Sequence, residues 1–212
     1  MAEFQICEAL RWEPGQGYFL LERHLRRLAA SAAHFGFALH LEGVRQRLSA
    51  LAAELAETPR KVRLELSANG DMFLEHVDVK PSALVRVALA RDPVDSRDEF
   101  LRHKTSRRGV YDDALRARPG AQDVLLWNER GELTESCAAN LVVELDGQRL
   151  TPPVGSGLLP GTFRAELLEN AEIREEVLPL KALERASRLF IVNSVRRWCA
   201  IELDKPPVIQ AQ

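Results

Sequence analysis

The stretch from residue 131 to residue 164 carries two groups with complementary chemistry. Glu135 lies on a predicted strand, and a carboxylate there can hold a heteroaromatic nitrogen protonated, because an ion pair favours the charged form. Residues 158–162, Leu-Leu-Pro-Gly-Thr, precede a predicted helix, whose first backbone N–H groups attract anions such as phosphate. Each feature also has an ordinary structural explanation, a solvated strand residue or a helix capped by Thr162. Together they suggest a cofactor with a basic ring at one end and a phosphate at the other.

Lys104 is the candidate for covalent chemistry. It lies in the basic segment His-Lys-Thr-Ser-Arg-Arg at residues 103–108. A free lysine amine titrates near ~10.4. Desolvation and the nearby cations Arg107 and Arg108 would lower that pKa and free the amine to form a Schiff base. A solvated basic run and a phosphate-contact patch are the alternative interpretations of this segment.

Two other segments offer anion contacts. Arg26 and Arg27 lie on a predicted helix at residues 22–35, and at most one of them faces inward. Arg27 adjoins the apolar stripe, so it suits a bidentate phosphate contact, although a surface arginine is the alternative. Later in the chain, Asn-Ser-Val-Arg-Arg at residues 193–197 follows a predicted strand.

This later segment has two candidate roles. Ser194 could donate a hydrogen bond to a phosphate oxygen, and Arg196 or Arg197 could bind a substrate carboxylate. All three residue types are equally typical of a surface loop.

The elements that must position these residues fall into two predicted domains. Residues 1–80 form a small α+β domain with two amphipathic helices and a hairpin turned by Asn69 and Gly70. Lys80-Pro81-Ser82 is typical of a linker, and residues 83–212 form a larger domain of strands and short helices. The predicted strands lie at residues 4–12, 18–21, 61–67, 72–79, 84–90, 123–127, 132–136, 140–145, 148–151 and 189–192, and the predicted helices at 22–35, 41–57, 98–102, 111–116, 162–169 and 181–186.

Composition excludes several classes of protein. The 212 residues carry a formal net charge of -2 and a pI of about 6.2, so no basic field favours binding to nucleic acid. The three cysteines are far apart and form neither a disulfide framework nor a zinc-site spacing. We therefore expect no metal. The early acidic residues argue against a signal peptide, and no apolar run reaches the ~18 residues of a membrane span. The expected location is the cytoplasm.

The order of these motifs resembles that of the class IV aminotransferase family, whose members use pyridoxal 5′-phosphate (PLP). The similarity covers nearly the whole chain and is closest to the 4-amino-4-deoxychorismate lyase members. It implies a two-domain, fold-type IV, D-amino acid aminotransferase-like structure with a small N-terminal α+β domain and a larger β-barrel-like α/β domain. The motifs that carry it are residues 7–11 (CEALR), 22–28 (ERHLRRL), 103–105 (HKT), 132–136 (ELTES) with Asn140 and Leu141, and 158–162 (LLPGT) with Arg164.

The resemblance implies a role for each motif residue. Lys104 would bind PLP covalently and move protons, and Glu135, close to Asn140, would pair with the ring nitrogen. The phosphate would be held by Arg27, Ser194 and the backbone of Thr162 and Phe163. Tyr111 is a further candidate cofactor contact, although its spacing from Lys104 is longer than in branched-chain aminotransferases.

The resemblance also implies the reaction and its partners. A lyase would eliminate pyruvate from 4-amino-4-deoxychorismate and form 4-aminobenzoate, whereas a transaminase would exchange the amino group with a keto acid. Arg11, Arg196 and Arg197 are the candidate contacts of an amine or amino-acid-like carboxylate substrate. We expect a homodimer that binds neither nucleic acid nor membrane. A catalytically silent member that acts as a binding module is the alternative.

Overall fold

The computed structural model describes residues 4–55, 57–79 and 84–204, which fall into two compact units. The first unit contains the described residues up to 79 together with residues 103–107 and 194–196. The second contains the remaining described residues. The predicted linker at residues 80–82 lies outside the described part of the chain.

The first unit is a four-stranded antiparallel sheet with two helices. Its strand order is β2-β1-β3-β4, and β1 and β3 pair along their whole length. The side chains that face the helices are almost all apolar, and they bury the core of the unit. The elements are β1 (Ile6–Glu13), β2 (Gly17–Tyr18), α1 (Leu21–Phe35), α2 (Leu41–Glu54), β3 (Arg60–Leu66) and β4 (Met72–Asp78).

Local sequence explains where these elements begin and end. The apolar stripe of α1 includes Leu25, Leu28 and Ala32, all of them buried, and the helix ends at Gly36 in the left-handed region with φ of 69°. The turn between β3 and β4 follows the prediction, because Gly70 supplies the positive φ of 90° that a tight turn requires.

The second unit is an eight-stranded sheet in which all strands except β9 and β10 form a closed ring. Strand order is β10-β9-β8-β11-β12-β5-β6-β7, and β7 also pairs with β8, so six strands form a ring. The elements are β5 (Val85–Leu89), α3 (Gly109–Arg116), β6 (Asp123–Trp127), β7 (Leu133–Ser136), β8 (Asn140–Leu145), β9 (Gln148–Thr151), α4 (Thr162–Glu169), β10 (Arg174–Glu175), α5 (Ala182–Arg185), β11 (Arg188–Asn193) and β12 (Arg197–Leu203), with 3₁₀ turns at Glu99–Leu101 and Val154–Ser156.

Burial on both faces explains the apolar run in β6. Val124, Leu125 and Leu126 are all fully buried. Leu125 packs in the cluster inside the ring, while its two neighbours pack in a separate cluster with Tyr111 of α3. A strand covered on both sides loses the alternation of apolar and polar residues.

Several elements differ from the sequence-based prediction, and two of these differences bear on the site. The return strand predicted at residues 18–21 is only the two-residue β2, because Leu20 adopts a left-handed conformation with φ of 56° and α1 begins one residue later. No element is predicted after residue 192, but residues 197–203 form the strand β12, whose Cys199 and Ile201 face the core. None of the helices within the described ranges is long and apolar enough to cross a membrane.

Candidate functional site

Lys104 is held in the first unit by the backbone of β1. Its carbonyl oxygen accepts a hydrogen bond of 2.7 Å from the N–H of Cys7, and Thr105 forms an isolated antiparallel bridge with Ile6. Ser106 donates its N–H to the carbonyl of Gln5 at 2.9 Å. The short segment around the lysine is thus hydrogen-bonded to the chain at the start of β1, which fixes the origin of the lysine side chain.

The residue before the lysine is fixed by its side chain. The Nδ1 atom of His103 lies 2.9 Å from the Oγ of Ser31 on α1. Its ring also stacks on the ring of His34, with centroids 4.4 Å apart. Helix α1 and strand β1 therefore both restrain the segment that carries Lys104.

Arg27 is held by a buried carboxylate on β1. The Nε and Nη2 atoms of Arg27 donate to the two oxygens of Glu8 at 2.8 and 2.7 Å. The Nδ1 atom of His24 lies 2.7 Å from the same carboxylate. Burial alone would raise the pKa of Glu8, but the charge and hydrogen bonds of Arg27, together with those of His24, outweigh burial and lower that pKa to about 2.

The segment of residues 194–196 is also attached to β1. Ser194 donates its hydroxyl to the carbonyl of Ala9 at 3.2 Å, and Arg11 donates Nη1 to the carbonyl of Val195 at 2.8 Å. Arg11 makes a further ion pair with Glu13. The two hydrogen bonds give Ser194 and Arg11 a structural task beside any contact with a ligand.

The two arginines that follow Val195 belong to different units. Arg196 is half-buried and lies in the first unit, whereas Arg197 is the first residue of β12 in the second. Arg197 also has a positive φ of 59°, which is uncommon for a residue with a side chain.

Glu135 is the centre of a hydrogen-bond network in the second unit. Its side chain is 3% exposed. One carboxylate oxygen accepts from the hydroxyl of Tyr111 at 2.8 Å and from the N–H of Leu159 at 3.1 Å, and the other accepts from the amide of Asn140 at 3.1 Å. These three donors are neutral, so they stabilise the ionised carboxylate without cancelling its charge. Such a group suits a cationic ring nitrogen.

Tyr111 remains a donor to Glu135. Burial raises the pKa of Tyr111 well above its usual range, and the negative charge of Glu135 and their hydrogen bond add to the shift. The guanidinium of Arg108 lies 4.6 Å from the centre of the tyrosine ring and donates to the carbonyl of Cys137 at 2.6 Å. The sequence left open what Tyr111 contacts, and in the structure its hydroxyl contacts this carboxylate.

Asn140 links Glu135 to the loop that leads into α4. Its amide donates to Glu135 and also, at 2.8 Å, to the carbonyl of Leu159. Gly161 packs so closely that a Cβ atom there would lie 2.0 Å from the Oδ1 of Asn140. Only glycine fits this contact, and the loop before the helix is therefore held against the carboxylate network.

Helix α4 begins directly after this contact. Gly161 is its N-cap, so the alternative of a Thr162 cap is wrong, and Thr162 and Phe163 are the first two helical residues. The N–H groups of a first helical turn point out of the helix end and attract anions. Arg164, in the first turn of α4, is 3% exposed and donates to the carbonyl of Pro152 at 2.7 Å. This hydrogen bond ties the first turn of the helix to the residue that follows β9.

The structure groups the predicted residues into two sets. In the first unit, Lys104, Arg27, Ser194 and Arg11 are each tied to or lie on β1. In the second, the network of Glu135 is continuous with the N-terminus of α4. The residues of the second set are Glu135, Tyr111, Asn140, Thr162 and Phe163.

Sequence reasoning missed the role of Glu8. The residue was noted only as part of a motif, yet it lies on β1 at the same parity as the buried residues Ile6 and Leu10. A charged residue on the core face of a strand signals a buried partner of opposite charge, because an unpaired buried charge is very costly. That signal was available in the sequence.

The chain belongs to the class IV aminotransferase family, since the family model for amino-transferase class IV matches residues 5–203. It is 32% identical over 191 residues to a Schizosaccharomyces pombe protein provisionally named aminodeoxychorismate lyase, covering 85% of this chain and 82% of that protein. Membership of this family confirms the predicted cofactor class, and the chain is a PLP-dependent enzyme.

Two solved structures confirm the fold-type IV prediction. A Mesorhizobium loti protein provisionally named an amino-acid aminotransferase has a TM-score of 0.86 and 38% identity, over 95% of this chain and all of that chain. The PLP-bound form of a hypothetical aminotransferase from Mycobacterium tuberculosis has a TM-score of 0.81 and 22% identity, over 98% of this chain and 84% of that chain. The latter likeness shows the fold alone.

Gly161→Ala is expected to weaken PLP binding at least tenfold, because the added Cβ would displace Asn140 and with it both the loop and Glu135. Fluorescence titration of apoenzyme with PLP measures the effect. Gly155→Ala is the matched control, since a Cβ there meets no atom within 4 Å. Equal affinities of the two variants would contradict the proposed contact.

Glu8 is expected to make stability depend on acid pH. Its pKa of about 2 in the folded protein lies below the ordinary value of 4.5. The ionised carboxylate therefore adds its full share to the free energy of unfolding above pH 4.5, and this share is lost as the pH falls toward 2. The contribution is of order 3 kcal/mol. Urea unfolding between pH 7 and 3 should show a steeper loss for the wild type than for Glu8→Gln. Glu22→Gln, in an exposed pair with Arg45, should follow the wild type.

Proposed function

We propose that this enzyme is a 4-amino-4-deoxychorismate lyase, which releases pyruvate and forms 4-aminobenzoate. The observation that carries the PLP chemistry is the buried Glu135, held by three neutral donors next to the N-terminus of α4. The choice of substrate is supported by the 32% identity to the S. pombe protein, whose name assigns that reaction provisionally.

The cofactor contacts in this proposal divide by chemistry. Glu135 would pair with the ring nitrogen, while Tyr111 and Asn140 hold its carboxylate in place. The phosphate would be bound by Arg27, by Ser194 and by the backbone N–H groups of Thr162 and Phe163. Phe163 offers no side-chain hydroxyl, so its contribution is limited to the backbone.

Lys104 would do the proton chemistry. When bound, PLP supplies an electron sink for the carbanion. The Nζ atom of Lys104 removes the proton from the substrate carbon that bears the amine. The bond from the neighbouring ring carbon to the enolpyruvyl oxygen then breaks, and the ring becomes aromatic. The oxygen leaves with the electron pair and takes up a proton, and the resulting enol tautomerises to pyruvate. The balance of this elimination requires no oxidant and no water.

The substrate contacts rest on charge. Aminodeoxychorismate carries two carboxylates, and Arg11, Arg196 and Arg197 are the candidates to bind them. Arg11 already holds the carbonyl of Val195 and pairs with Glu13, so it would bind a carboxylate from a fixed position. The proposal includes a homodimer in the cytoplasm, as the family resemblance implies.

A transaminase is the second candidate. It is favoured by the 38% identity to the M. loti protein, which this chain matches over that protein's entire length. In this case Lys104 would return the proton to the cofactor rather than allow elimination, and a keto acid would leave. The two reactions share every residue named above until the carbanion forms, so they differ only in its fate.

Lys104→Ala is expected to abolish the visible absorption band of lysine-bound cofactor that borohydride bleaches, and to reduce turnover by about 10²–10⁴-fold. Lys61→Ala, at an exposed position of β3, is the matched control and should keep both. A band that persists in Lys104→Ala would refute the assignment of this lysine.

The same preparations decide between the two reactions. Pyruvate and 4-aminobenzoate should appear in equal amounts from aminodeoxychorismate with the wild type. Amino-group exchange in a panel of amino and keto acids, without pyruvate release, would instead establish the transaminase.

A further inference from the structure

We propose that Glu8 is a positioning residue for the cofactor phosphate, because its buried carboxylate fixes the orientation of the Arg27 guanidinium. This inference rests on the proposed function, which takes Arg27 as a phosphate contact. Glu8 itself would touch neither cofactor nor substrate.

The place of Glu8 in β1 requires a reason. Alternation along the strand directs it to the same face as Ile6 and Leu10, where α1 covers the sheet, and its side chain is only 2% exposed. Apolar side chains of similar volume often stabilise a core as well as or better than a buried ion pair. Burial at this position therefore points to a specific use of the carboxylate.

Glu8 binds the guanidinium of Arg27 along one edge, through Nε and Nη2. The carboxylate accepts from Nε and Nη2 together, at 2.8 and 2.7 Å, which is the planar bidentate arrangement that a guanidinium favours. The remaining N–H bonds of a guanidinium held in this way point away from the carboxylate.

His24 fixes the carboxylate in turn. Its Nδ1 atom lies 2.7 Å from the Glu8 oxygen that also accepts from Nη2 of Arg27. His24 and Arg27 are three residues apart on α1, so they lie on one helix face and contact the carboxylate together. The triad leaves the carboxylate little freedom to rotate.

In the ion pair of Glu8 and Arg27, the carboxylate is more deeply buried than the guanidinium. The side chain of Glu8 is 2% exposed and that of Arg27 is 12% exposed, so both are ordered by their surroundings and the supporting carboxylate is the more deeply buried of the two. A long arginine side chain that is already ordered loses less entropy when it binds an anion. The benefit of Glu8 is thus orientation before binding.

The negative charge of Glu8, taken alone, would weaken the binding of a phosphate by Arg27. Glu8 stays ionised at neutral pH, because Arg27 and His24 more than offset the cost of its burial. A carboxylate beside the arginine weakens the positive field that a phosphate would meet. If the charge dominated, removing it would strengthen phosphate binding, and this difference in sign makes the proposal testable.

The experiment compares PLP with pyridoxal, which lacks the phosphate, as ligands of the full-length apoenzyme. The ratio of the two dissociation constants isolates the phosphate contribution, because both ligands react with the same lysine. Glu8→Gln is expected to lower the preference for PLP about tenfold, the usual effect of losing one hydrogen bond to a charged group. Arg27→Gln should lower it at least as much, and the double variant should equal Arg27→Gln.

Two further variants separate orientation from charge and from folding. Glu8→Asp keeps the charge but withdraws it by one methylene, and it should also lower the preference for PLP. Glu22→Gln removes the carboxylate of an exposed arginine pair and should leave the preference unchanged. Circular dichroism of each variant reports whether the fold is retained.

Each outcome has a distinct meaning. An unchanged or increased preference for PLP in Glu8→Gln would overturn the inference while leaving Arg27 as a phosphate contact. An unchanged preference in Arg27→Gln would refute that contact in the proposed function, and the inference with it. Loss of the native fold in both Glu8 variants would show that the carboxylate serves the core rather than the cofactor.

Discussion

The second unit depends on the pairing of Glu135 with Asn140. This single backbone register closes the ring of six strands between β7 and β8, and the same two residues are joined by a side-chain hydrogen bond of 3.1 Å. Asn140 then holds the carbonyl of Leu159 and packs on Gly161. The closure of the barrel and the arrangement of a buried carboxylate beside a helix N-terminus are therefore one constraint.

In the first unit, strand β1 holds the candidate site residues in place. Over five residues its backbone and side chains hold the lysine segment, the arginine of α1 and the turn that contains Ser194. Cys7 and Ala9 act through their backbone, whereas Glu8 and Arg11 act through their side chains. The alternation of a strand permits this division, since Glu8 faces the helices and its neighbours face the opposite side.

Sequence reasoning identified most of this arrangement but not its internal supports. Motif order and resemblance predicted the fold class and the cofactor, and periodicity predicted both long helices. Strand β12 was not predicted, because its pairing with β5 is a long-range contact that no local pattern specifies. Glu8 was overlooked because the identity of its partner, 19 residues away, depends on how α1 packs.

The most direct test of this account is the protonation state of the bound cofactor. PLP labelled with ¹⁵N in its ring can be bound to the wild type and to Glu135→Gln and followed by NMR across neutral pH. The account predicts a protonated ring nitrogen in the wild type and a largely unprotonated one in the variant, because only an ionised carboxylate stabilises the cation. The same protonation in both proteins would contradict the role assigned to Glu135.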